Sequence, residues 1–208
     1  MTLSDLVKLT PVDKGWSGDQ KYCAETANGM KYLLRTSEPG SYEKKKAEFD
    51  VMCEVERLGI PMCRPIDFGE TDEFVYSIQT WIHGADAEEV IVSFSDDRQY
   101  AFGLTAGRIL KKIHSIPAPK TQEEWESRFN KKIDRKIRGY HDCPLKFNGA
   151  ENMLRYIEEN RHLLHGRPQS FQHGDYHIGN MMIDQNGTLT VIDFNRFDYG
   201  DPWEEFNR

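Results

Sequence analysis

Three side chains near the C-terminal end have types and spacing suited to chemistry: Asp175, Asn180 and Asp193. The first two lie in "FQHGDYHIGNMMID", and the third ends the apolar run of "LTVIDFNRFDYGD". Two carboxylates and an amide carbonyl form a hard oxygen-donor set. Mg²⁺ favours such sets, because it takes few protein ligands and fills its octahedron with water and phosphate oxygens. Asn186-Gly187 lies between the segments and predicts a hairpin that brings Asp193 back beside Asn180.

Other chemistries compete for the same loop. His173, Asp175 and His177 fall within five residues and invite a zinc reading. The remaining histidines include His83, His114, His162 and His165, and they form no ligand pattern that would complete a zinc site. His173 is therefore expected to pack behind the loop and bond its backbone. His177 is expected either to do the same or to meet substrate or phosphate.

The elements that must position these groups follow from periodicity. Apolar runs on either side of Asn28-Gly29 predict a hairpin. Ala47, Val51, Met52, Val55 and Leu58 repeat at helical spacing, and Gly59 and Pro61 close that helix. "RPIDFGETDEFVYSIQTWI" predicts two more strands around a turn. From "HGADAEEV" to about residue 170 the chain reads as helix. One stripe there is Phe102, Ala106, Ile109 and Ile113, and a second is Trp125, Phe129, Ile133 and Ile137. A third contains Met153, Leu154, Ile157 and Leu164. The expected class is α+β and bilobal: an N-terminal lobe over residues 1–80, β-rich with one helix, and a mainly helical lobe over 81–208.

Bulk properties exclude several functions. The 208 residues carry a formal net charge of -7, with 38% hydrophobic and 29% charged residues, which is ordinary globular composition. That charge argues against a nucleic-acid partner. The basic stretch "RFNKKIDRKIRGY" reads as the solvated face of a helix. No apolar run approaches the roughly 20 residues of a membrane span, so no membrane partner is expected. The N-terminus lacks the pattern of a signal peptide, and Cys23, Cys53, Cys63 and Cys143 show no C-x-x-C pairing, as suits reduced thiols in the cytoplasm. Oligomeric state does not follow from these features.

The intervals Asp175–Asn180 and Asp175–Asp193 match the logic of a kinase catalytic loop followed by a metal-binding aspartate. Gly174 stands where a protein kinase has arginine, and Asn195 where it has the last glycine of D-F-G. With "HGDYHIGN", "VIDFNRFDYGDPWEE", "KYLLR", "AEFDVM", "GIPMCRPIDFG" and "WIHG" in order, the chain resembles the aminoglycoside phosphotransferase family, small-molecule kinases of the protein-kinase-like fold.

The resemblance implies a Mg²⁺-dependent transfer of the γ-phosphoryl group of ATP or GTP to a hydroxyl of a small molecule, an aminoglycoside being one candidate. It implies that Asp175 orients the acceptor hydroxyl and takes its proton, and that Asn180 and Asp193 hold Mg²⁺. Arg35 would reach the α/β-phosphates, paired with Glu48 on the helix, and Leu33 would lie against the base. Lys31 shares the strand face and competes with Arg35 for the phosphate role. Ser17 and Gly18 would belong to the loop covering the phosphates, and backbone near Thr80, Trp81 and Ile82 would read the purine edge. Asp198, Asp201, Glu204 and Glu205 would suit a polycationic acceptor or, alternatively, fix the metal-binding loop. The family usually continues for several helices beyond the point matching Arg208. The chain therefore reads as short of that end, with apolar surface expected around Trp203 and Phe206. The alternatives from other classes are a nucleotide-binding pseudokinase and a metal-dependent hydrolase.

Overall fold

The computed structural model describes residues 1–13 and 18–207. The chain forms two compact units. One comprises residues 1–113 with 173–197, and the other residues 114–172 with 198–207.

In the first unit, β1 (Leu6–Pro11), β2 (Gln20–Thr26), β3 (Lys31–Ser37), β4 (Pro65–Glu70) and β5 (Val75–Thr80) make an antiparallel sheet. Its strand order is β1-β2-β3-β5-β4. The β2–β3 turn is the expected Asn28-Gly29 hairpin, and Gly29 takes a φ of 81° that a side chain would resist. Alternation along β3 sorts its side chains: Leu34 is buried with Ala24 and Ile78 against Tyr22, Tyr32 and Tyr76. Arg35 and Ser37 project to the opposite face. Helix α1 (Tyr42–Glu56) buries Val51, Met52 and Val55. Phe49 and Tyr42 of this helix meet the Phe68 ring of β4.

The segment after α1 ties the sheet to the late hairpin. Met62 bridges to Val191, and the Cys63 N–H donates to the Val191 carbonyl at 3.3 Å. The hairpin is β8 (Met181–Asp184) and β9 (Leu189–Val191), turning at Asn186-Gly187 as expected. Residues 84–86 were expected to be helical but form a strand, β6 (Gly84–Asp86), paired with β8. Backbone pairing overrides their local preference, because β8 would otherwise present an open edge. The short helix α2 (Ala87–Val90) and α3 (Asp96–Ile113) follow, and Val90, Phe102 and Ala106 pack on Ala87, Met181, Ile183 and Leu189.

The second unit holds α4 (Trp125–Asp142), α5 (Ala150–Glu159) and a two-stranded ladder of β7 (Ser170–Gln172) with β10 (Asp198–Gly200). Trp125 is buried, whereas Met153, expected in a core stripe, is 58% exposed. Trp203 and Phe206 are each 71% exposed. Among the described residues no helix is long and apolar enough to cross a membrane.

Two tests follow. A Cβ on Gly84 would lie 2.3 Å from the Ile183 carbonyl oxygen, a backbone atom that cannot swing aside. Gly84→Ala should therefore cost about 1–3 kcal/mol in urea unfolding, as overpacking does. Burial pushes the Cys63 thiol from 9.0 up to about 11. A raised acid group stabilises the fold fully below its unfolded pKa and loses that contribution as pH climbs towards the folded one. Between pH 9 and 11 the wild type should lose up to about 3 kcal/mol more than Cys63→Ala, at about 1.4 kcal/mol per pK unit.

Candidate functional site

The loop carrying Asp175 is built around a buried histidine. His173 is fully buried. Its Nε2 lies 3.0 Å from the Ile192 carbonyl, and its Nδ1 accepts the Asp175 N–H at 3.3 Å. Nε2 is thus the protonated nitrogen, and neither is left for a metal. His173 packs behind the loop, as expected. His177 holds the loop differently: its Nδ1 accepts from the Gly179 N–H at 3.1 Å, and its Nε2 is 3.7 Å from Asp175 Oδ1. Gly174 supplies the turn with a φ of 83°.

Asp175 and Asn180 meet directly. The Asn180 amide nitrogen donates to Asp175 Oδ2 at 3.1 Å and to the Asp175 carbonyl at 2.9 Å. This turns the amide N–H₂ inward and leaves the carbonyl oxygen as the free end of the group. The Ile192 N–H donates to the Asn180 backbone carbonyl at 3.0 Å, so the residue before Asp193 is stitched to Asn180. Asp193 takes a φ of 67°, and among the described residues no other non-glycine has a positive φ. A non-glycine residue held there carries strain of order 1–3 kcal/mol, which surrounding contacts must sustain. Arg196, just beyond, brings its guanidinium to 3.6 Å from Asp175 Oδ2.

Arg35 sits at the centre of the charged groups. It pairs with Ser77 across the sheet, and its side chain is 9% exposed. One arm donates to Asp193 Oδ1 at 2.8 Å, and the other donates to Asp19 Oδ2 at 3.0 Å. Burial would favour the neutral guanidine, but Asp193 and Asp19 outweigh it and raise the pKa. Lys31 is exposed, so of the two basic residues on this strand face the buried charge is Arg35.

The expected ion pair between Arg35 and Glu48 does not form. Glu48 instead takes the Lys45 ammonium at 3.0 Å, one turn earlier on the same helix. Arg35 is drawn to Asp19 and Asp193, and their two carboxylates occupy its forked donors. Asp19, Ser37 and Lys45 were not anticipated from sequence. Ser37 shares the face of Arg35 by the period of two, and Asp19 follows Gly18, so both were within reach of the strand pattern. Burial alone would raise the Asp19 carboxyl. Hydrogen bonds from Lys45 and Ser37, with the charges of Arg35 and Lys45, hold it below the usual range.

A cavity in this unit is lined by Asp19, Arg35, Lys45, Glu48, Gln79 and Asp193, among others. Asp175 and Asn180 lie outside that lining, as do Gly18, Leu33, Thr80, Trp81 and Ile82. Leu33 is half-buried opposite Gln79. Thr80 gives its N–H to the Arg64 carbonyl at 2.9 Å. Trp81 and Ile82 follow as half-buried, irregular backbone. Ser17 lies outside the described residues.

In the second unit the four acidic residues of its closing segment are spoken for. Asp198 pairs with Arg128, Asp201 with Arg167 and Glu204 with Lys132, while Glu205 faces His114 at 3.5 Å. Asp201 also caps the next turn, accepting from the Trp203 N–H at 3.1 Å. Of the two readings of this cluster, the contacts favour the structural one.

A model of the phosphotransferase enzyme family, APH, matches residues 8–208. No curated protein sequence matches the chain. Among solved structures, the streptomycin–ATP ternary complex of APH(2")-IIa superposes with a TM-score of 0.67 at 19% identity, covering 97% of this chain and 70% of that one. ADP-bound APH(2'')-Ib gives 0.68 at 18%, covering 97% and 70%. APH(3'')-Id from Streptomyces rimosus ATCC10970 gives 0.59 at 18%, covering 95% and 74%. At these identities the likeness carries the kinase-like α+β fold alone. With the family model spanning nearly the whole chain, the protein belongs to the phosphotransferase enzyme family.

Proposed function

We propose that the chain transfers the γ-phosphoryl group of a nucleoside triphosphate, ATP or GTP, to a hydroxyl of a small molecule, in the cytoplasm. Residues 1–80 would hold the nucleotide and residues 81–208 the catalytic groups. The observation that carries this reading is the join of Asp175, Asn180 and the Asp193 segment through two hydrogen-bonded links. That arrangement supports Asp175 as the group that orients the acceptor hydroxyl and receives its proton. Phosphoryl transfer needs little covalent help, so holding the acceptor and the γ-phosphorus in line does most of the work.

The donors present fit Mg²⁺. The Asn180 amide is turned so that its carbonyl oxygen is the free end, and Asp193 uses Oδ1 on Arg35 and keeps Oδ2. These two residues would hold the ion, which supplies charge neutralisation on the phosphate oxygens. Arg35 would bind the α/β-phosphates. Glu48 would orient the cationic cluster, and Leu33 would lie against the base. Backbone at Thr80, Trp81 and Ile82 would read the purine, and Ser17 and Gly18 would cover the phosphates. The APH(2")-IIa structure holds streptomycin and ATP, which makes an aminoglycoside the first acceptor to try.

Two variants test the roles. Asp175→Asn should lower kcat about 10²–10⁴-fold, read as nucleoside diphosphate release with an acceptor found by screening aminoglycosides, amino alcohols and sugars, and leave nucleotide affinity intact. Unchanged turnover would remove Asp175 from the mechanism. Asp193→Asn, which avoids leaving Arg35 wholly unpaired, should abolish the Mg²⁺-dependent rise in Tm that ATP or GTP gives the wild type. Retention of the full rise would refute the metal assignment.

A further inference from the structure

Two cations and a hydroxyl converge on one buried carboxylate, Asp19, whose side chain is 8% exposed. Its Oδ2 accepts from Arg35 Nη2 at 3.0 Å, from Arg35 Nε at 3.3 Å and from Lys45 Nζ at 2.9 Å. Its Oδ1 accepts from the Ser37 hydroxyl at 2.8 Å. A guanidinium fork, an ammonium and a hydroxyl are the donors that phosphate oxygens recruit, and a carboxylate presents oxygens of the same charge and similar spacing.

Helix formation does not explain Lys45. It stands in the first turn of α1, where the helix dipole disfavours a cation. It also precedes its partner Glu48, the less favourable order for a helical ion pair. The neighbouring Lys46 behaves as an ordinary surface residue, 41% exposed and paired with Asp50. Lys45 is drawn inward instead, to 15% exposure, into the cavity that Arg35 and Asp193 also line.

We propose that Lys45 is a second phosphate-binding cation beside Arg35, and that Asp19 is the internal anion that the nucleotide's phosphates displace. The inference rests on the nucleotide reading above. Asp19 directly follows Gly18, in the stretch assigned to cover the phosphates, so carboxylate and phosphate compete for the same donors.

Calorimetric titration of the full chain with inorganic tripolyphosphate separates the possibilities. A parallel arm uses ADP or GDP with MgCl₂, whichever the wild type takes, and the matching nucleoside. Lys45→Gln should raise Kd for tripolyphosphate and diphosphate about tenfold or more, in line with a lost charge-assisted bond, and leave the nucleoside unaffected. Lys45→Arg should restore most of the loss. Asp19→Asn should lower the same Kd values at least threefold. Wild-type affinity in Lys45→Gln, or weaker phosphate binding in Asp19→Asn, would overturn the proposal. Should Lys45→Gln fail to fold, the direction of the Asp19→Asn effect decides. A wild type that binds neither ATP nor GTP with Mg²⁺ overturns the nucleotide reading instead.

Discussion

An arginine that is only 8% exposed must be paired, and the pairing of Arg35 holds the candidate site together. Its arms join Asp19 and Asp193, and the latter is 158 positions away in sequence. Removing both acids would strand a buried charge, which typically costs several kcal/mol, far more than a surface ion pair contributes. The cluster therefore fixes the late hairpin against the first sheet, in addition to whatever it binds.

The rest of the first unit can be understood as what brings these groups to Arg35. Antiparallel register sets Arg35 opposite Ser77, so its side chain leaves the face that buries Leu34. The bridge from Met62 to Val191 anchors the hairpin, and β9 then runs directly into Asp193. Left-handed backbone at Asp193 turns the chain sharply. The backbone of Ile192, bonded on both sides by His173 and Asn180, sustains that strain. His173 thus acts as a strut, and its two-nitrogen bonding locks the tautomer that the loop requires.

Both hairpins and helix α1 were legible because Asn-Gly turns and 3.6-residue periodicity are local signals. The closeness of Asp175 to Asn180, and of Asn180 to the residue before Asp193, was legible because these residues lie close in sequence and the hairpin between them is a local signal. Residues 84–86 were misread, since three residues carry no period and their strand state comes from pairing with β8. Met153 was misplaced because an amphipathic stripe shows that a face is apolar without showing what covers it. The partner of Arg35 was misjudged for a related reason. Spacing placed Glu48 on the right helix, but an ion pair is decided by competition, and Asp19, Asp193 and Lys45 entered from segments whose side-chain directions no periodicity reveals.

The carboxylates in the cavity are the reason the proposed site would use both a metal and a movable acid. Asp19, Glu48 and Asp193 line the cavity beside Arg35 and Lys45, and Lys21 also feels the charges of Asp19, Asp193, Arg35 and Lys45. A triphosphate approaching the cavity meets the repulsion of these carboxylates at short range, where screening is weak. Under the proposed roles, turning Asp19 away removes one carboxylate from the cavity and frees both cations for phosphate oxygens. In the same proposal Asp193 would keep one carboxylate oxygen for a divalent ion, whose charge would offset that of the phosphates. Glu48 gains a purpose in the same account: by holding Lys45 from one turn away, it keeps the ammonium in place once Asp19 has left.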